Sequence, residues 1–242
     1  MKKVVFGVVC TTTLCGLLAV QPVQAAPQLV TAKADEVSSV RENVYQQHEF
    51  VLTVEDRVGD PNLNETIQQF VDTYFEVYPR IVERFSAEGK IETSVILRIE
   101  NFDGVAYANG NVITVNAEWI RSNPQDIALL THELTHVAQG YPRYDEETVW
   151  LTEGIADYSR YLFGPNDESW SLPEVSEGQH YTDSYRVAAR FLLWLEKHQR
   201  DTIVDDLHRR LQAGTYSPDD FAHFTGKTLD QLWDEYVQNP EL

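Results

Sequence analysis

The spacing in His132-Glu133-Leu134-Thr135-His136 constrains this chain more than any other feature. Two imidazoles four residues apart share a face only if the backbone between them is helical, which sets them one turn apart. They can then reach a single cation together. Glu133 lies next to the first histidine and cannot share its direction. In sites of this kind such a glutamate hangs over the open coordination position and takes a proton from metal-bound water. The flanking residues favour a helix that faces a core, with Ile127-Ala128-Leu129-Leu130 before the motif and Val137-Ala138 after it. A surface helix with two solvated histidines is the plainer reading, and those apolar flanks argue against it. A partly buried histidine pair needs partners, and one metal ion satisfies both rings.

Two histidines do not complete a tetrahedral site. A third protein ligand is required, with water in the fourth position. The arrangement that uses a third histidine six residues further on fails here: that position is Pro142, and Gln139 stands where the arrangement needs glycine. The alternative takes a glutamate from a following helix. Trp150-Leu151-Thr152-Glu153-Gly154-Ile155-Ala156-Asp157-Tyr158 reads as the start of one, with Glu153 well placed as the ligand. Asp157 lies one turn beyond Glu153 on the same face. There it can accept a hydrogen bond from the non-ligating nitrogen of a zinc histidine and fix its tautomer. Two solvated acids on a helix are the competing reading of this pair.

The segments HELTHVAQ and EGIADYSRY resemble the basic secretory protein family of plants and bacteria, which are zincin-type peptidases. FDGVAYANGNVITVNAEWI, SYRVAARFLLWL and TGKTLDQLWDEY are similar to other recurrent blocks of that family, in the same order, so the likeness runs from about residue 45 to 237. The resemblance implies a zincin-like fold, one zinc ion per chain and peptide-bond hydrolysis. It carries His132, His136 and Glu153 as ligands and Glu133 as the base. One departure is plain: the plant members are basic, whereas this chain has 19 basic against 38 acidic residues.

Met1-Lys2-Lys3, a mostly apolar run from Val4 to Val20 and small residues at Val23-Gln24-Ala25 have the form of a cleavable signal peptide over residues 1–25. A secreted or periplasmic location follows, with no stable membrane insertion once the signal is removed. Both cysteines, Cys10 and Cys15, fall in that segment. The mature chain therefore has no disulfide and no thiolate ligand, which excludes cysteine-protease and zinc-ribbon chemistry. Its residues suffice for one domain with a sizeable core. Loss of Lys2 and Lys3 takes the net charge from −19 to −21. Such a surface argues against nucleic acid and anionic membranes as partners, and is compatible with neutral or cationic peptides.

Residues 26–46 lack a clear period and are expected to form a flexible lead, with the zincin-like metallopeptidase domain at 47–242. Phe50 to Val54 and Thr93 to Ile99 read as strands. Between them, Ile67, Phe70, Val71, Tyr74, Tyr78, Ile81 and others recur at three- and four-residue steps, a long amphipathic helix. Asn62 or Asn64 is expected to cap it, and Pro79 to kink it. Val105 to Val115 is a hairpin whose Asn109-Gly110 pair is expected to supply both positive-φ positions of the turn. Helices are expected at about 202–212, 217–224 and 229–237, the last capped by Thr228, with His208 a solvated or capping residue. The fold class is therefore α+β: a small N-terminal mixed sheet with a hairpin, then a helix-rich half.

Three further assignments concern catalysis. In zincins substrate lies as an added strand along the hairpin before the metal helix, so Ala106-Tyr107-Ala108, or Val112–Asn116, is expected to bind substrate through main-chain hydrogen bonds. Asp145, Glu146 and Glu147 form a solvated acidic loop. The oxyanion that develops as water attacks needs a donor, and Tyr185 is the candidate, at the position where the family resemblance places a tyrosine; Tyr181 and His180 are its rivals. The expected function is an exported zinc peptidase acting on peptide or protein substrate. Two alternatives use the same residues: a secreted module in which zinc only staples two helices, and a metal-dependent hydrolase of a non-peptide amide or ester.

Overall fold

Strict alternation builds the sheet. In β3 (Phe50–Asp56) and β4 (Ser94–Glu100), Leu52, Val54, Val95, Leu97 and Ile99 all point to one buried face. The opposite face carries ion pairs instead: Glu55 receives Arg57 and Arg98, each at 2.9 Å, and Arg57 also reaches Glu100 at 2.9 Å. The structure, a computed structural model, describes residues 26–34, 40–87, 91–166 and 170–242. The signal peptide expected over 1–25 lies outside the described residues.

β3 and β4 pair in parallel, so the chain must cross over between them, and α1 (Asn64–Phe85) is that crossover. Its aromatic stripe packs on the sheet, as core. Tyr74 reaches the carbonyls of Val51 and Thr93, each at 3.0 Å, and Tyr78 donates to the Glu92 carbonyl at 2.8 Å. The tyrosine hydroxyls thus satisfy main-chain acceptors at the strand starts while their rings fill the core. Pro79 lies within this single helix. Neither Asn62 nor Asn64 caps it: Asp60 accepts from the Asn62 N–H at 3.0 Å at the head of a 3-10 turn, Pro61–Leu63, and α1 follows with no side-chain cap.

The six-stranded sheet runs β1-β2-β3-β4-β6-β5, with β1 at Gln28–Ala34, β2 at Arg41–Gln47, β5 at Ala106–Asn109 and β6 at Val112–Asn116. β1 and β2 are strands where a flexible lead is expected over 26–46, residues 35–39 of which lie outside the described residues. These strands bury little, and Leu29 and Val30 remain more than half exposed. β1 is held by antiparallel main-chain pairing to β2, and β2 in the same way to β3, which leaves no apolar period to read. The hairpin turn is also shifted by one residue. Asn109 pairs with Val112, so the loop is Gly110-Asn111. Among its residues only Gly110 takes a positive φ, 59°, the pattern of a turn needing glycine at its first central position.

After α2 (Ala117–Ser122) the chain is helical: α3 (Leu129–Gln139), α4 (Val149–Phe163), α5 (Tyr185–His198), α6 (Ile203–Gln212), α7 (Asp219–Thr225) and α8 (Leu229–Gln238). α3 is sandwiched between α1 and α4, and α5 packs along α4. Gly154 permits that last approach, since a Cβ there would stand 2.7 Å from the Cβ of Ala188. Thr228 caps α8 in a reciprocal pair with Gln231. His208 on α6 is buried rather than solvated, edge-on to Phe85. No helix among the described residues is long and apolar enough to cross a membrane.

Candidate metal centre

α3 brings His132 and His136 onto one face because its other faces are fixed by burial of Leu130 and Leu134. The helix ends at Gly140, whose φ of 50° lets the chain turn away. α4 returns alongside and presents Glu153 and Asp157 from one face, as the sequence requires. Three donor atoms converge. The Nε2 atoms of His132 and His136 are 3.1 Å apart, and Glu153 Oε2 is 3.1 Å from the first and 3.5 Å from the second. A tetrahedron with metal–ligand bonds of about 2.0–2.1 Å has edges of about 3.3 Å. The three residues therefore fit one zinc-sized ion with a coordination position left over.

The non-converging atoms of these residues are also held. His132 Nδ1 donates to Asp157 Oδ1 at 2.7 Å. With Nδ1 engaged in this way, Nε2 is the ring nitrogen turned toward the other donors. His136 Nδ1 is paired with Gln139 Oε1 at 2.9 Å, and Gln139 in turn donates to the Thr152 carbonyl at 3.3 Å on α4. The second oxygen of Glu153, Oε1, accepts from the Tyr144 hydroxyl at 2.6 Å. Sequence reasoning missed Gln139 and Tyr144 as site residues. Helical spacing of three from His136 was a usable signal for Gln139; Tyr144 lies in a loop and had none.

The electrostatics follow from burial. His132, Glu133, Glu153 and Asp157 are all buried. Burial works against a charged His132, but the hydrogen bonds to Asp157 and Glu153 outweigh it and hold the imidazole above its ordinary range. Burial likewise raises Glu153, and the two histidines more than reverse this, holding its carboxyl well below the usual carboxylate range. Glu133 is different. Burial raises it, only partly offset by the histidines, and its carboxylate has no hydrogen bond to a described residue. It faces an open cavity of about 860 Å³ that also reaches Ala106, Ala108, Glu153 and Tyr185.

Tyr185 begins α5, with its ring stacked 6.1 Å from that of His132 at 16°. It and Ser184 hold positive φ values of 47° and 60°, a conformation that side chains disfavour. Burial and the nearby carboxylates of Glu153, Asp157 and Glu133 raise its pKa, so it stays a donor at neutral pH. Its rivals lie elsewhere. Tyr181 donates to Asp230 at 3.0 Å and packs on Trp150, while His180 caps the 3-10 turn Tyr181–Asp183. The acidic loop is not simply solvated: Arg143 binds Asp145 and Glu147, at 3.0 and 2.7 Å. Of the two strands considered for substrate, β6 is flanked by β4 and β5, whereas β5 is the edge of the sheet. Ala106, Tyr107 and Ala108 all line the cavity.

The fold thus brings together a histidine–histidine–glutamate cluster whose three donor atoms lie within reach of a single metal ion. The chain belongs to the family described as peptidase of plants and bacteria, which matches residues 42–236. No curated protein sequence matches it. Among solved structures, an M1 zinc metallopeptidase mutant from Deinococcus radiodurans bound to a Tyr-Ser-Ala substrate is similar at TM-score 0.49 and 14% identity, covering 90% of this chain and 52% of that one. An aminopeptidase N family protein from Idiomarina loihiensis is similar at TM-score 0.40 and 15% identity, covering 83% and 42%. The chain thus spans about half the length of the solved structures it matches.

Proposed function

We propose that this chain is an exported zinc-dependent peptidase, with His132, His136 and Glu153 as metal ligands and Glu133 as general base. The observation that carries the reading is the division of labour among buried side chains. Three converge on one point from α3 and α4, while Glu133 beside them is left unbonded and faces the cavity. A module in which the metal only staples helices would have no use for a desolvated carboxylate at an open position. The basic, apolar and small-residue run of positions 1–25 supports export.

Zinc, when bound, supplies a Lewis acid for the scissile carbonyl and lowers the pKa of water. Glu133 accepts a proton from the attacking water as the new C–O bond forms. It then passes that proton to the amine nitrogen as the C–N bond breaks. Asp157 and Gln139 hold the two imidazoles in their tautomers. Tyr185 donates to the oxyanion. The substrate backbone pairs with the free edge of β5. The Asn116 N–H donates to the Val105 carbonyl at 2.9 Å, so the bonded pairs alternate from there and the main-chain groups of Ala106 and Ala108 face outward.

The test is Glu133→Gln, assayed on a mixed peptide library with and without chelator by mass spectrometry. The expected variant retains zinc and loses about 10²–10⁴-fold in turnover. Retained zinc with unchanged turnover would remove Glu133 from the chemistry, and zinc-loaded protein that cuts no peptide would overturn the peptidase reading.

A further inference from the structure

The cleft does not end at the metal cluster. A second open cavity, of about 780 Å³, lies on its far side and shares Ala108, His136 and Tyr144 with the first. The lining follows chain order along the hairpin. Val105 to Ala108 border the first cavity, and Ala108 to Asn111 border the second. α3 runs beside them in the same way, with His132 and Glu133 in the first cavity and Val137 and Gln139 in the second. The histidine pair therefore sits partway along a groove bounded by one continuous strand edge. Each half has the volume of a whole small-molecule site, which is more than one residue needs.

We infer that the site takes an extended chain through both cavities and cuts peptide bonds in its interior, rather than trimming residues from either end. The inference rests on the peptidase reading above and adds the class of substrate. Enzymes that remove terminal residues require a barrier one residue from the reacting bond and a charged group to meet the terminus. In the second cavity the charged side chains are Glu92, which accepts from the Ser94 N–H at 2.9 Å, and Arg143, which is committed to Asp145 and Glu147. In the first, Arg160 is bound to Asp126. Glu92 competes with the inference as the carboxylate a free N-terminal amine would meet, and so, at the other end, does Arg186. It donates to the Ser171 carbonyl at 3.3 Å and has no carboxylate partner among the described residues, so it is the place where a free C-terminal carboxylate would bind.

A mixed decapeptide library in three forms decides between these arrangements: free ends, amidated C-terminus, and both ends blocked. The zinc-loaded mature chain is expected to cut all three at the same internal bonds, with kcat/KM within about three-fold. Shortening a cut peptide to one residue on either side of the bond is expected to lower kcat/KM about ten-fold or more, because remote main-chain contacts contribute to the transition state. Stepwise loss of C-terminal residues, abolished by amidation and by Arg186→Gln, would overturn the inference in favour of a carboxypeptidase. Stepwise release from the N-terminus, abolished by acetylation, would overturn it in favour of an aminopeptidase. Either result leaves the peptidase reading standing. Zinc-loaded protein that cuts none of the three forms sinks both.

Discussion

The two oxygens of Glu153 face different neighbours, and that asymmetry separates the tasks of two tyrosines. Oε2 faces the imidazoles, while Oε1 is held by Tyr144. A carboxylate restrained in this way offers one oxygen to a cation and keeps the other from occupying the remaining position. Tyr144→Phe is therefore expected to weaken zinc binding about 10–100-fold in chelator competition. Tyr185 stacks on His132 but holds no ligand in place. Tyr185→Phe is expected to keep zinc affinity and lose about 10²–10³-fold in kcat. The reverse pattern would exchange their roles. At this scale legibility tracks sequence distance. His132, Glu133 and His136 lie within one turn of helix, where spacing dictates direction. Tyr144 reaches Glu153 only because the loop around Arg143, Asp145 and Thr148 folds back, and loop geometry has no period to read.

Between elements, the α4–α5 contact sets the site's precision, since Glu153 and Gly154 are adjacent and Tyr185 opens α5. Gly154→Ala has two opposing effects. The helix gains up to about 1 kcal/mol in propensity, but the new methyl would meet Ala188 at 2.7 Å, and overpacking a close interface costs about 1–3 kcal/mol. The collision offsets the gain at its mildest and exceeds it otherwise, so a net loss of up to about 2 kcal/mol is expected in urea unfolding, together with weaker zinc binding as α4 shifts. An unchanged midpoint would mean that α5 moves aside freely. The same scale shows where pattern reading stops. Alternation identified β3 and β4 because each buries one face. β1 and β2 contribute no fully buried residue among those described, with Tyr45 half-buried against the core, and exist through backbone pairing, which any side-chain sequence of adequate β propensity can satisfy.

For the molecule as a whole, acid sensitivity follows from His208, where α6 meets α1 and the loop after α3. Its Nδ1 accepts from the Tyr141 hydroxyl at 2.8 Å, a bond that fits the neutral ring. Burial pushes its pKa down from 6.5 to about 4, against a smaller upward pull from Asp205. A depressed histidine pKa means that the unfolded chain takes up the proton first. Above about 6.5 the group contributes no pH dependence; between about 6.5 and 4 it progressively destabilises the fold, by about 3 kcal/mol at the lower end. His208→Gln, compared with the parent by urea titration across that window, is expected to show a correspondingly flatter decline. Parallel declines would show that the other titrating groups, not His208, set acid stability.

The sequence by itself picked out the His132–His136 pair with Glu133 between them, and the Glu153–Asp157 pair, because each pair is a matter of spacing within one helix, and local geometry follows from local residues. It also carried the family, through blocks spread over most of the chain. Only the tertiary structure decided which strand has a free edge, which of three candidate side chains near α5 reaches the cluster, that Tyr144 and Gln139 belong to it, and that the groove continues past it. Those are contacts between residues whose separation along the chain says nothing about their separation in space, and they exist only once the sheet order and the packing of α3, α4 and α5 are in place.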